Sequence, residues 1–409
     1  MKSLRRITSK LPKLLPMALF LVLVPAALAS NTWYVDGVNG NDNNNCLSPQ
    51  TACKTIGHAI SLASSGDSIM VAPATYTENL TIGISLKIIG SGAATTIVDG
   101  GGVGTVLSIG EAQVILSGLT IRNGYNQTYG GGIINFGTLT VNNSAITANS
   151  ANYGGGGIEN FVTLTINNST ITGSTLSYQY GEGGAILNWG ALTIKKSTIS
   201  GNKATDGGAI FSGCCGSTST VTTIKKSTIS GNSGTRGSAI EIISGTGAIN
   251  NSTVTGNAGG ILNYVTLTIS NGTISGNAGG GIEQVNGGSV TLQNSIIANN
   301  SGGNCGGTMT SNGYNLSSDG TCNFTGPGDM NDTHPKLGTF GNHGGPTQTI
   351  SLREGSPAID AGNPNGCTDG NGNLLKTDQR GEPRPGKYKV DKRCDMGAYE
   401  TQRNLVGIP

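Results

Sequence analysis

The chain holds 409 residues, of which 68 are glycine and only 11% are charged. That much glycine without a Gly-X-Y period excludes collagen, and so little charge beside abundant Ile, Leu and Val excludes ordinary disorder. Mixed with Asn, Ser and Thr, this composition fits many short strands joined by tight turns.

The first 29 residues read as a secretion leader. Lys2, Arg5, Arg6, Lys10 and Lys13 form a basic start, Leu14 to Val24 is apolar, and Ala27-Leu28-Ala29 offers a small-x-small cleavage site before Ser30. The apolar run is short for a span of ~20 residues, so cleavage is expected rather than anchorage. Five of the 24 basic residues and none of the 22 acidic ones lie in the leader, which leaves the remainder at −3. Such a weak charge gives no case for a nucleic-acid partner.

Eight cysteines suit an exported protein. Cys46 with Cys53, Cys305 with Cys322, and Cys367 with Cys394 read as three local disulfides, the last two bracketing loop-rich stretches. Neither a CxxC nor a Cys/His spacing supports a metal. Adjacent Cys214 and Cys215 are either a vicinal disulfide or two loop thiols. Between 54 and 63, apolar residues at 56, 59, 60 and 63 share one helical face, which predicts a helix that caps the first coil of a solenoid. His58 on that helix reads as a surface or cap residue.

A pattern such as GGAILNWGALTIKKSTISGN (183–202) then recurs. One apolar column aligns on Ile133, Ile158, Ile186, Ile210, Ile240, Ile261 and Ile282. A second comes after the Ser/Thr run at Ile146, Ile171, Ile199, Ile229, Val254, Ile274 and Ile296. Constant columns with unequal steps mark stacked coils with loops of varying length. Within a unit, as in Leu192-Thr193-Ile194, period two sends Leu and Ile inward and Thr outward. The reading is an all-β, single-stranded, right-handed parallel β-helix solenoid of about ten coils with an N-terminal helical cap. Asn202, Asn232, Asn257 and Asn277 close S-G-N or T-G-N turns. There Asn is expected to take the left-handed conformation and to stack its amides along the axis.

Counting four residues back from the first column gives Glu182, Asp206 and Arg236 on consecutive coils. That file is the candidate catalytic site. Two close carboxylates suit Ca²⁺ and a uronate, or a general acid/base pair, and Arg suits a lyase base or a substrate carboxylate. Solubilising turn charges are the competing reading. No cofactor is required, and Ca²⁺ is an ion the two carboxylates could bind. Lys195, Lys196, Lys225 and Lys226 form a second file, read as glycan-binding candidates or as a solvated face. No nucleophile elbow, phosphate loop, zinc motif or Ser/His/Asp set is visible.

Two resemblances add to this. Trp33-Tyr34-Val35-Asp36, NGNDNNN (39–45), SPQTACKTIGHAI (48–60) and GDSIMVAPATYTENLTI (66–82) resemble the opening of secreted β-helix proteins of the pectate-lyase-like superfamily. NSIIANNSGGNC (294–305), SNGYNL (311–316), HPKLG (334–338), NHGGPTQT (342–349), SPAIDAG (356–362), TDQRGEPRP (377–385) and CDMGAYE (394–400) resemble the bacterial choice-of-anchor Q domain. The first implies a fold shared by lyases, hydrolases, adhesins and proteins without activity. The second implies an exported surface protein, although the nine residues after Glu400 carry no apolar tail or LPxTG-type signal. Arg380 and Arg384 are expected to pair with carboxylates and pin the loops of this Gly/Pro-rich region. Asp369, Asn371 and Asn373 read as an Asn/Gly turn rather than a Ca²⁺ loop.

The expected organisation is a leader (1–29), an N-terminal cap (30–66), a β-helix (67–300), a choice-of-anchor Q-like region (294–400) and a tail (401–409). The expected protein is secreted or on a bacterial cell surface, monomeric and without a transmembrane helix in its mature form. Its expected role is structural or glycan-interacting, with an acidic polysaccharide or envelope glycan as partner. The alternative is a polysaccharide lyase or glycoside hydrolase acting on acidic glycans.

Overall fold

The computed structural model describes residues 30–213, 219–285, 287–386 and 393–402. Residues 1–29, read above as a leader, and the pair Cys214 and Cys215 lie outside the described residues. The chain is a right-handed parallel β-solenoid of three long sheets, with 12, 10 and 11 strands. Two small sheets accompany them. One is three-stranded and parallel, and the other is a hairpin of Leu337–Gly341 and Thr349–Leu352.

One coil shows why the repeat folds this way. Ala191–Lys195 belongs to the twelve-stranded sheet, Thr198–Ser200 to the eleven-stranded sheet and Ile210–Ser212 to the ten-stranded sheet. The corner between the first two strands is turned by Lys196 at φ 49°, and the next corner by Gly201 at φ 64°. The first Ile column stacks in unbroken register from Ile133 to Ile282. Its members are almost fully buried in one continuous core. The alternation inside each strand thus puts one large apolar side chain at the same place on every coil.

The second column needs one correction. Ile274 pairs with Ile297, whereas Ile296 pairs with Thr273. In the doublet Ile296-Ile297 only the second points into the solenoid. Ile296 points outward, into a second small core with Leu316, Leu352, Ala358 and Met396.

The asparagines also differ from expectation in one respect. Asn202, Asn232, Asn257, Asn277 and Asn300 do form an amide ladder, each Nδ2 donating to the next Oδ1 at 2.9–3.0 Å. The left-handed residue at these turns is however the preceding glycine, Gly201, Gly231, Gly256 or Gly276. Glycine takes the positive φ without a Cβ clash, which frees the asparagine to face inward and bond. Asparagine takes the glycine's place at this corner on two coils, as Asn123 and Asn299, and left-handed asparagines also occupy the other corner, at Asn143, Asn168, Asn251, Asn271 and Asn294.

The N-terminal cap contains the helix Ile56–Leu62. Thr55 caps it, and the Glu78 carboxylate accepts from the Ile56 and Gly57 amides at 2.9 and 2.8 Å. Ile56 and Ala59 are its buried face, and His58 stays partly exposed.

All three expected disulfides are present. Cys46 bonds Cys53, Cys305 bonds Cys322 and Cys367 bonds Cys394, with Cα–Cα distances of 5.0, 4.8 and 6.1 Å. All six cysteines are buried. Cys305 lies on the strand Cys305–Gly306 at the end of the ten-stranded sheet. Cys322 closes the short 3-10 helix Gly320–Cys322 and joins the main apolar core together with Phe324, so this bond seals the end of the solenoid. Cys394 is wholly enclosed, and its carbonyl accepts from the Gly362 amide at 2.8 Å. A disulfide carries no charge and packs as an apolar group, which suits it to the interior of a region with few large side chains.

The C-terminal region folds back along the flank of the solenoid. Gln379 bonds Thr228 and Thr253, Thr368 and Thr377 accept from Asn271 and Asn251, and Ala398 donates to Thr273. Arg384 pairs with Glu400 at 3.6 Å, both side chains fully buried, and Arg380 pairs with Asp378 at 2.8 Å. The two arginines therefore pin this region as expected. Asp369 closes a turn by accepting from the Asn371 and Asn373 amides at 3.0 and 2.9 Å. Among the described residues no helix is long and apolar enough to cross a membrane.

Candidate functional site

The outer face of the ten-stranded sheet is a groove built by the same register as the core. Its floor is the middle residue of each three-residue strand, which period two turns outward: Ile134, Glu159, Leu187, Phe211, Glu241, Leu262 and Glu283. One wall is the residue four positions before each core Ile. Tyr129, Gly154, Glu182, Asp206 and Arg236 are bridged in that order, coil upon coil. The predicted file therefore exists. The other wall is the residue that comes after each strand, namely Phe136, Phe161 and Trp189.

The charged centre lies where both lines carry acids. Arg236 Nη2 donates to Glu241 Oε1 at 3.1 Å, and Arg236 Nε lies 3.5 Å from Asp206 Oδ1. Glu241 is wholly buried, Asp206 is 13% exposed and Arg236 is 56% exposed, so the guanidinium covers one acid and faces solvent. Burial first, then the charge of Asp206, pushes Glu241 up to about 7. Glu159 is pushed up to about 7 by burial alone, which outweighs the indole N–H of Trp189 at 3.3 Å. Glu182 is raised by burial and by Asp206. Asp206 is raised by burial, but Arg236 opposes the rise. Arg236 is itself held above its usual value, because Glu241 and Asp206 outweigh burial.

Aromatic rings line the groove on the N-terminal side of this centre. Phe136 and Phe161 stack with centroids 4.5 Å apart and planes 10° apart. Tyr129, Tyr153 and Tyr178 succeed one another at 5.7 and 4.8 Å, partly exposed. On the C-terminal side the coils shorten, the wall residue is lost, and Gly259, Gly260, Gly280 and Gly281 leave a hollow. That cavity, of about 320 Å³, is bordered by Arg236, Leu262 and Glu283 and falls in the size range of ligand pockets.

Glu159 and Glu241 escaped the sequence reading. Their signal is an acid placed between two inward positions, as in Ile240-Glu241-Ile242, where the repeat offers Leu or Phe on neighbouring coils. The lysine file lies at another corner, between the twelve- and eleven-stranded sheets, with Lys195 paired to Lys225. It takes no part in the groove.

No known protein-family profile matches the chain, and no curated protein matches it in sequence. Solved structures do match. The pectate lyase Pel9A is 15% identical with a TM-score of 0.57, the match covering 91% of this chain and 97% of that one. A pectin methylesterase from carrot (13%, 0.35, covering 65% and 82%) and the GH136 lacto-N-biosidase from Eubacterium ramulus (10%, 0.37, covering 70% and 60%) are more distant. The likeness to the pectate lyase establishes the fold alone, a right-handed parallel β-solenoid.

Proposed function

We propose that the protein is an exported glycoside hydrolase that cleaves an acidic glycan lying along the ten-stranded sheet. The observation that carries this reading is the unbroken file Glu182–Asp206–Arg236, backed by Glu241. It gives two neighbouring carboxylates whose surroundings differ. Among the described residues Glu182 forms no ion pair, and burial and the charge of Asp206 raise it against the opposing pull of Arg236, which suits a general acid. Asp206 is raised by burial as well, but Arg236 at 3.5 Å opposes the rise and favours its carboxylate form, which suits a nucleophile. Adjacent coils set backbones about 4.8 Å apart, a spacing that suits the close carboxyl pair of a retaining mechanism.

In this reading Glu182 gives its proton to the glycosidic oxygen while Asp206 attacks the anomeric carbon. The bond to the leaving sugar breaks and a glycosyl–Asp206 ester forms. Water, deprotonated by Glu182, then attacks the ester and releases the sugar, restoring both carboxyls. Arg236 orients Asp206 and meets a substrate carboxylate with its exposed edge. As a lyase base it would have to lose a proton that two carboxylates hold in place, which favours hydrolysis over elimination. Since a guanidinium already lies between Asp206 and Glu241, the reading needs no Ca²⁺. The aromatic walls supply flat apolar surfaces for sugar rings.

Three disulfides and the leader-like start support export. The converging motifs around Asp378, Arg384 and Glu400 support a choice-of-anchor Q-like module that clamps the solenoid's flank. A purely structural role leaves the buried Glu159 and Glu241 without a purpose, since taking a carboxyl out of water costs stability even where one partner is supplied.

The test is reducing-end release from pectin, alginate and related uronate polymers. Wild type should release reducing ends without the ultraviolet absorbance of an unsaturated lyase product. Glu182→Gln and Asp206→Asn should each lose at least about 100-fold in rate. Absence of release across the panel, an unsaturated product, or full activity in both variants would refute the proposal.

A further inference from the structure

The lysine corner has the features of a second binding site. After each five-residue strand the solenoid turns through one left-handed residue. From Asn143 onward these are Asn143, Asn168, Lys196, Lys226, Asn251, Asn271 and Asn294, with φ between 46° and 54°. Asn tolerates this conformation, and Lys gains nothing from it. Before Lys196 the asparagines also stack. Asn167 donates to Asn142 at 3.0 Å and Asn168 to Asn143 at 2.7 Å. Lysines cannot continue such a ladder. Instead Lys195 and Lys225 stand in direct register, with Lys196 and Lys226 beside them, and like charges at strand spacing repel. Two adjacent coils thus exchange a favourable amide ladder for four ammonium groups.

The neighbouring anions offset them only in part: Asp369 attracts Lys225 and Asp378 attracts Lys226, both without an ion pair. Among the described residues none of the four lysines forms an ion pair. Asp369 faces them, but its Oδ1 is taken by two backbone amides and its Oδ2 by Asn373 Nδ2. Asp378 is held by Arg380. Lys226 alone is partly tied down, its Nζ donating to Thr377. The lysines line a cavity of about 250 Å³ that Asp369 and Leu375 of the C-terminal region close on one side. It continues away from that region as an open trough of about 450 Å³, lined by Lys195, Lys196 and the four asparagines 142, 143, 167 and 168.

We infer that this trough binds a carboxylate-bearing glycan, separately from the groove. Lysines meet the carboxylates, while the asparagine amides both donate to and accept from sugar hydroxyls. A nucleic acid fits less well. Among the described residues no aromatic ring lines the trough for base stacking, and the chain from Ser30 onward is acidic overall. The bound chain ends against the C-terminal region, so that region sets the length of the site.

The test uses the full chain without its leader, carrying Glu182→Gln so that turnover does not consume the probe. Binding of hexagalacturonate is measured by titration calorimetry at low salt, beside the variant that also carries K195N, K196N, K225N and K226N. Asparagine is the residue the neighbouring coils place at these positions, so the second protein should fold and melt at or above the first. It should bind the hexamer at least about tenfold more weakly, and the difference should shrink as salt is raised past ~0.2 M. Equal affinity of the two proteins would overturn the inference. So would a lysine-dependent affinity for a DNA oligonucleotide with none for the hexamer. Because the readout is binding, it stands or falls independently of whether the groove hydrolyses anything.

Discussion

The inward Ile column and the outward file at Glu182 ride on the same coils, yet they are written by opposite rules. Inside, Ile133 through Ile282 repeat one residue on every coil. Outside, at equal spacing, the residues change from Tyr129 to Gly154, Glu182, Asp206 and Arg236. Stacking needs identity, because each coil must bury the same shape against the next. A site needs difference, because an acid acquires a role only when its neighbour is unlike it. In this solenoid repetition specifies the fold, and departure from repetition marks the chemistry.

The contrast breaks most severely from the inside. Ile199→Asp places a carboxylate in a column that is fully buried, at a cost of several kcal/mol, on the order of 3–5. Coils on either side should lose hydrogen-exchange protection before distant ones, since solenoid contacts are nearest-neighbour. Uniform loss, or unchanged stability, would contradict the stacking account.

The next effect concerns the flank. Arg384→Ala removes the guanidinium that faces the buried Glu400 carboxylate, a loss of about 3 kcal/mol or more. Limited proteolysis should then cut within residues 363–402 while the coils from 67 to 225 stay intact. Simultaneous digestion of both would mean that this region is part of the solenoid's cooperative unit.

A smaller effect sharpens the outer half of the comparison. Glu159 and Glu241 titrate near 7 in the folded chain against an ordinary value of 4.5. The folded state therefore holds protons that the unfolded state has released, so stability falls as pH rises from about 4.5 to about 7. Glu241→Gln removes one of the two groups and should flatten that decline. Thermal melting between pH 4 and 8 measures it, and identical slopes would show that Glu241 is not raised.

Much of this was legible because the columns repeat. Ile133 to Ile282, the three cysteine pairs, the helix at 56–62 and the file from Glu182 to Arg236 all come from spacing. What escaped the sequence has local reasons. A three-residue strand is too short for alternation to announce its outward middle, so Glu159 and Glu241 pass for ordinary strand residues. The doublet Ile296-Ile297 offers two equal choices for one inward position. Glycine and asparagine sit side by side at the turn, and only backbone geometry shows which one carries the positive φ. Cys322 and Cys394 stand among Gly, Asn and Asp, a polar setting that conceals their burial. The docking of Gln379, Arg384 and Ala398 on coils more than 100 residues earlier has no period at all.

The central claim is that the file which departs from the repeat is where substrate reacts. A crystal structure of Glu182→Gln soaked with a uronate oligosaccharide tests it directly. The account predicts a sugar ring on the ten-stranded face, its glycosidic oxygen within hydrogen-bond reach of residue 182 and its anomeric carbon facing Asp206. Sugar bound only at the lysine trough, or a ring in the groove out of reach of both carboxyls, would contradict it.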